Sequence, residues 1–188
     1  MNFKKTTNSI ENLDAFIDGA ETQRERKEIN TSFINVKFST ELGEKIKQKY
    51  PILSISKFIE QSLINDIPHI KEEILPFIYQ QAKWYDMKMD DFVKFKMGLT
   101  ESPQTIEPNK TDAVLKNRGL RISNENKEKI IKKAQNIGLK ILTYSEIKIL
   151  ATYKLKDIFT FEELMQFKAE AMNYELELDE YIAMRIKG

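Results

Sequence analysis

The sequence predicts a mainly α-helical chain with a short β-ribbon strand near the start of each of two halves. Three observations predict it. Residues 33–38, Phe-Ile-Asn-Val-Lys-Phe, alternate apolar and polar side chains with the period of a strand. Most of the remaining chain carries apolar residues at helical spacing, punctuated by Pro51, Gly98, Pro103, Pro108 and Gly138. Blocks of the second half also line up with blocks of the first, the pattern of a divergent tandem duplication.

The elements follow in order. Residues 1–30 form a polar arm, interrupted by Leu13, Phe16 and Ile17 at a spacing that places them on one face of a short helix. So short a helix is marginal alone in water, so the arm is either a docking peptide for a partner protein or a disordered leader. From 31 to 98 the order is strand, helix, tight turn, helix, then a helical extension. In the strand, Ile34, Val36 and Phe38 share one face while Phe33, Asn35 and Lys37 share the other. Ser39 or Thr40 caps a helix whose face is Leu42, Ile46 and Tyr50, and Pro51 ends it. Ser54 caps a second helix with Phe58, Ile59, Leu63 and Ile64 on its apolar side. Residues 99–115 read as a linker, and 116–188 as a second, related, mainly helical unit.

Phe38 to Ile46 aligns with Ile122 to Ile130 at an offset of 84, and Leu53 to Ser56 with Leu142 to Ser145 at 89. Ala82 to Met97 then aligns with Ala171 to Ile186 at that same offset, setting Tyr85 against Tyr174, Asp90 against Asp179 and Phe92 against Tyr181. Each copy of this last block reads as two helices around a short break. Asp90 and Asp179 are N-cap candidates, and Thr143 with Glu146 has capping-box spacing.

Composition narrows the chemistry. The 188 residues suffice for one or two domains with a sizeable core. With no cysteine there is no disulfide, thiol nucleophile or cysteine-based zinc site, which suits a reducing cytoplasm. The single histidine, His69, cannot build a metal cluster, and six scattered glycines assemble neither a dinucleotide fingerprint nor a phosphate loop. No apolar run approaches a membrane span. The acidic pairs Glu72-Glu73, Asp90-Asp91 and Glu162-Glu163 sit at helix starts or on charged faces, where solvation or capping accounts for them. The expectation is a non-enzymatic protein with no catalytic residues, no metal and no cofactor. Formal net charge is only +1, yet residues 111–140 hold eight basic against three acidic side chains. That local excess suits a polyanion; an exposed helix face is the alternative for its lysines.

The segments Ile34-Asn35-Val36-Lys37-Phe38, Ser39-Thr40-Glu41-Leu42 and Ile52-Leu53-Ser54-Ile55-Ser56-Lys57-Phe58-Ile59 together resemble the ribbon–helix–helix DNA-binding family, the Arc- and MetJ-like repressors. The leader Asp14-Ala15-Phe16-Ile17-Asp18-Gly19-Ala20-Glu21 looks like the arms that precede this fold in plasmid-encoded members. The resemblance covers about the first third of the chain. It implies a ribbon of two antiparallel strands that enters the major groove of double-stranded DNA, as in a transcriptional repressor or plasmid-maintenance accessory. Its outward face would read bases through Phe33, Asn35 and Lys37, with Asn suited to adenine and Lys to guanine. Ser54, Ser56 and Lys57 would meet phosphate at the start of the second helix. If the second half is a copy, Arg121 joins the base-reading set, and Arg118, Thr143 and Ser145 join the phosphate set. One chain then supplies both strands as an intramolecular pseudo-dimer; otherwise the strand pairs in a homodimer. Two alternatives stay open: 33–38 as a strand of an unrelated α+β domain, and a helical protein-interaction adaptor or antitoxin-like partner without nucleic acid.

Overall fold

A computed structural model describes residues 30–101 and 115–188, with Leu115 described by its backbone alone. The chain divides after Thr31; only Asn30 and Thr31 of the first unit are described, and the second runs Ser32–Gly188. The predicted arm residues Leu13, Phe16 and Ile17 and most of the linker lie outside the described residues.

The first half begins with β1 (Thr31–Ser39), α1 (Thr40–Lys49) and α2 (Ile55–Ile64). Ser39 Oγ accepts the Leu42 N–H at 3.0 Å and Ser54 Oγ accepts the Lys57 N–H at 3.2 Å, so both helices start at the hydroxyls their sequences offer. Tyr50 closes α1 and stacks on Phe58 at 5.2 Å between centroids, which fixes the corner before Pro51. A 3₁₀ turn (Glu72–Ile74) then leads into a hairpin of α3 (Leu75–Trp84) and α4 (Met89–Lys96).

The second half runs through the same order: β2 (Leu115–Ser123), α5 (Asn124–Asn136), α6 (Ile141–Leu155), α7 (Phe161–Met172) and α8 (Leu178–Lys187). β2 lies 84 residues after β1 at both ends, and Ser123 caps α5 through the Asn126 N–H as Ser39 caps α1. The hairpins correspond at 89 residues. Asp86 and Glu175 both turn with positive φ, 53° and 56°, and Tyr85–Phe92 and Tyr174–Tyr181 form equivalent ring pairs.

β1 and β2 pair as a two-stranded antiparallel sheet within one chain. Period-two alternation decides its faces. Ile34, Val36, Phe38, Leu120 and Ile122 are buried, while Phe33, Asn35, Asn117, Gly119 and Arg121 are exposed. The buried face meets α1, α2, α5 and one side of α6 in a first core containing Ile46, Phe58, Leu63, Ile130, Tyr144 and Ile149. The hairpins enclose a second core with Ile78, Phe92, Val93, Phe167, Tyr181 and Ile182, and α6 contributes Ile147, Ala151 and Leu155 to it. One helix therefore serves both cores, which explains its nearly all-round burial.

Three cap assignments are corrected. α6 starts after Lys140, so Thr143 sits inside its first turn and forms no capping box with Glu146. With apolar residues on every side, α6 has no polar face to mark its start. α4 and α8 start after Lys88 and Glu177, so Asp90 and Asp179 lie in the first turns and act through the helix dipole. A capping box does form at Thr160 and Glu163, at the start of α7.

Around Lys148 of α6, where the 3₁₀ turn and α5 approach it, lies an ionic cluster buried at its centre and open at its Asp66 end. Lys148, 1% exposed, pairs with Glu72 at 2.7 Å; Glu72 also pairs with Lys133 at 3.0 Å, and Lys133 reaches Asp66 at 2.5 Å. The Tyr144 hydroxyl donates to Glu72 at 2.7 Å and lies 3.0 Å from the Leu63 carbonyl. Burial pushes the Lys148 ammonium below its ordinary pKa, with Glu72 opposing. Burial alone would raise the Glu72 carboxyl, but hydrogen bonds from Lys148, Tyr144 and Lys133 hold it below the usual range.

Candidate nucleic-acid interface

The outward face of the ribbon is the candidate site. Its position follows from the buried alternate residues: once Ile34, Val36 and Phe38 enter the core, residues 33, 35 and 37 must point away from it. Phe33 is 67% exposed, and its ring lies 3.7 Å from where a Cβ on Gly119 would stand. A small side chain at position 119 would therefore meet the ring at ordinary van der Waals distance. Asn35 and Arg121 are exposed on this same face. Arg118 is exposed with its guanidinium 4.9 Å from the Phe38 ring centroid, so it packs at the ribbon's margin by a cation–π contact.

Lys37 is placed differently from its neighbours. Its ammonium is 2.8 Å from Glu146 Oε2, and its backbone N–H donates to Ser145 Oγ at 3.0 Å. Glu146 also accepts from the Tyr79 hydroxyl at 2.5 Å. Burial would raise the Glu146 carboxyl, but the bonds from Lys37 and Tyr79 lower it overall, so it is a well-satisfied carboxylate.

The predicted phosphate contacts divide in two. Ser54, Ser56 and Lys57 are exposed at the start of α2, where the Lys57 side chain pairs with Glu60 at 2.9 Å, and Thr143 is exposed in the first turn of α6. Ser145 is the exception: it is fully buried, and its hydroxyl engages the Leu142 carbonyl and the Lys37 N–H. Its place in the phosphate set gives way to an internal hydrogen bond, because Ser145 lies on the side of α6 that meets β1, while Thr143 two residues earlier faces solvent.

Local sequence pattern offered no sign of the partnership of Glu146 and Tyr79 with Lys37. Glu146 has the spacing of a cap residue, while its real partners come from β1 and α3, 109 and 67 positions away. Compared with known proteins, the chain matches no family model, no curated protein and no solved structure.

Proposed function

We propose that this chain is a non-enzymatic, sequence-specific DNA-binding protein of the ribbon–helix–helix kind, a repressor or plasmid-maintenance accessory. The observation that carries the reading is the outward face of β1 and β2, whose polar and aromatic side chains stay exposed although the opposite face is core. A two-stranded ribbon fits the major groove, where Asn35 suits adenine N6 and N7 and Arg121 suits guanine O6 and N7. Flanking hydroxyls and cations at Ser54, Ser56, Lys57, Thr143 and Arg118 would orient the duplex through its phosphates.

In this reading the two halves are divergent copies, so one chain forms a pseudo-dimer. The matched strand offsets, serine caps and hairpin turns support it. The copies differ on the reading face, where Asn35 corresponds to Gly119 and Lys37 to Arg121. The preferred site should accordingly be asymmetric, unlike the palindromes of symmetric dimers. Selection from random duplexes with the full chain at near-physiological salt tests this. Enrichment of one non-palindromic motif is expected, and recovery of unselected sequence would sink the proposal.

One observation favours a second reading, a helical adaptor. Phe161, Met165 and Met172 are exposed along α7 at spacings that put them on one face. An adaptor would give no DNA enrichment and would need that face instead.

A further inference from the structure

On the outward face, Lys37 is gripped from behind by two successive residues of α6. Ser145 holds its backbone N–H at 3.0 Å and Glu146 holds its ammonium at 2.8 Å. We propose that Lys37 is a positioning residue that anchors the ribbon to α6 through Glu146, leaving base reading to Asn35 and Arg121. The inference rests on the DNA-binding reading above and assigns roles within it.

A Lys37 that left this site would strand Glu146. The Glu146 side chain is 15% exposed and has one oxygen on Lys37 and the other on Tyr79. For Lys37 to reach a base, its ammonium must abandon a largely buried carboxylate, which would keep only the tyrosine hydroxyl as a direct partner. Removing one partner of a buried pair is the costly event, because the remaining charge stays desolvated. The backbone contact adds a second constraint. An N–H donated to Ser145 is directed at α6, so the helix fastens the ribbon's edge as well as its side chain. Asn35, two positions earlier on the same face, is exposed. The anchor also joins three elements, since Tyr79 belongs to α3 of the hairpin core. Ribbon pose is thereby tied to the packing of both cores.

The test compares Lys37→Met, Glu146→Gln and the double variant with Asn35→Ala. Binding to the selected duplex and to its single-base variants is followed at several salt concentrations, and thermal unfolding is measured alongside. If Lys37 is an anchor, Lys37→Met and Glu146→Gln weaken binding by the same factor on every duplex. Their salt slopes match that of the unmodified protein, both lower the unfolding midpoint, and the double variant is no worse than either single one. Asn35→Ala, by contrast, relaxes preference at one base pair and leaves the midpoint in place. The inference is overturned if Lys37→Met relaxes preference at a particular base pair, if it lowers the salt slope by about 1, as loss of a phosphate-contacting cation does, or if Glu146→Gln tightens binding. Should the unmodified protein select no duplex, the DNA reading fails by itself. The anchor then stands or falls on the unfolding data, where additive losses in the double variant would refute it.

Discussion

Replacing Glu72 with alanine should lower the stability of the fold by about 3–5 kcal/mol, the range for breaking a buried ion pair from one side. Lys148 is 1% exposed, and its direct ion pair is with the Glu72 carboxylate at 2.7 Å. After the substitution its ammonium must either remain charged without that carboxylate or lose its proton. Lys133 would keep Asp66 and the Tyr144 hydroxyl would keep the Leu63 carbonyl, so the damage centres on Lys148. Against a typical total of about 5–15 kcal/mol, this is roughly a fifth of the stability or more. Glu72→Leu combined with Lys148→Met should be far milder, because it removes both charges and retains apolar volume. Urea unfolding of the three proteins checks the ordering; a double variant as unstable as the alanine variant would refute it.

The same cluster sets a pH dependence. The folded-state pKa of Glu72 is depressed, so its contribution is fully present above the ordinary glutamate range and is lost as pH falls through the folded value. Stability should therefore decline on acidification below about pH 4.5, the unfolded-state range for glutamate. That part of the decline should vanish in the Glu72→Leu/Lys148→Met protein.

The second large effect concerns binding. Asn35→Ala and Arg121→Ala should each cost about 1–3 kcal/mol of discrimination on the selected duplex, the range of a bidentate base contact. That is roughly a 5- to 150-fold loss per residue. Asn35 is exposed on the ribbon, so in Asn35→Ala the unfolding midpoint should barely move. Fluorescence anisotropy with labelled duplexes measures the loss, and each substitution should relax preference at its own base pair. Equal affinity in the folded double variant would remove the outward face from the account.

Much of this architecture was legible in local pattern. Alternation of Ile34, Val36 and Phe38 against Asn35 and Lys37 marked a half-buried strand and both its faces, and Ser39 and Ser54 marked the helix starts that form. The two hairpins were legible from the helical spacing of their apolar residues, and both turn through a positive-φ residue, Asp86 and Glu175. The start of α6 was not legible. A helix buried in two cores has no amphipathic stripe, so Thr143 and Glu146 read as a cap when both lie inside the helix. Nor could the ionic partnerships be read from spacing. Lys37 with Glu146, and Lys148 with Glu72, join residues that only the folded topology brings together.

The proposed DNA binding requires a single chain to supply the whole reading ribbon from β1 and β2. Multi-angle light scattering of the full 22.1 kDa chain mixed with its selected duplex tests it most directly. The expected complex is heavier than free duplex by one chain, unchanged as protein is added beyond equivalence. A complex that requires two chains, or no complex at all at near-physiological salt, would contradict it.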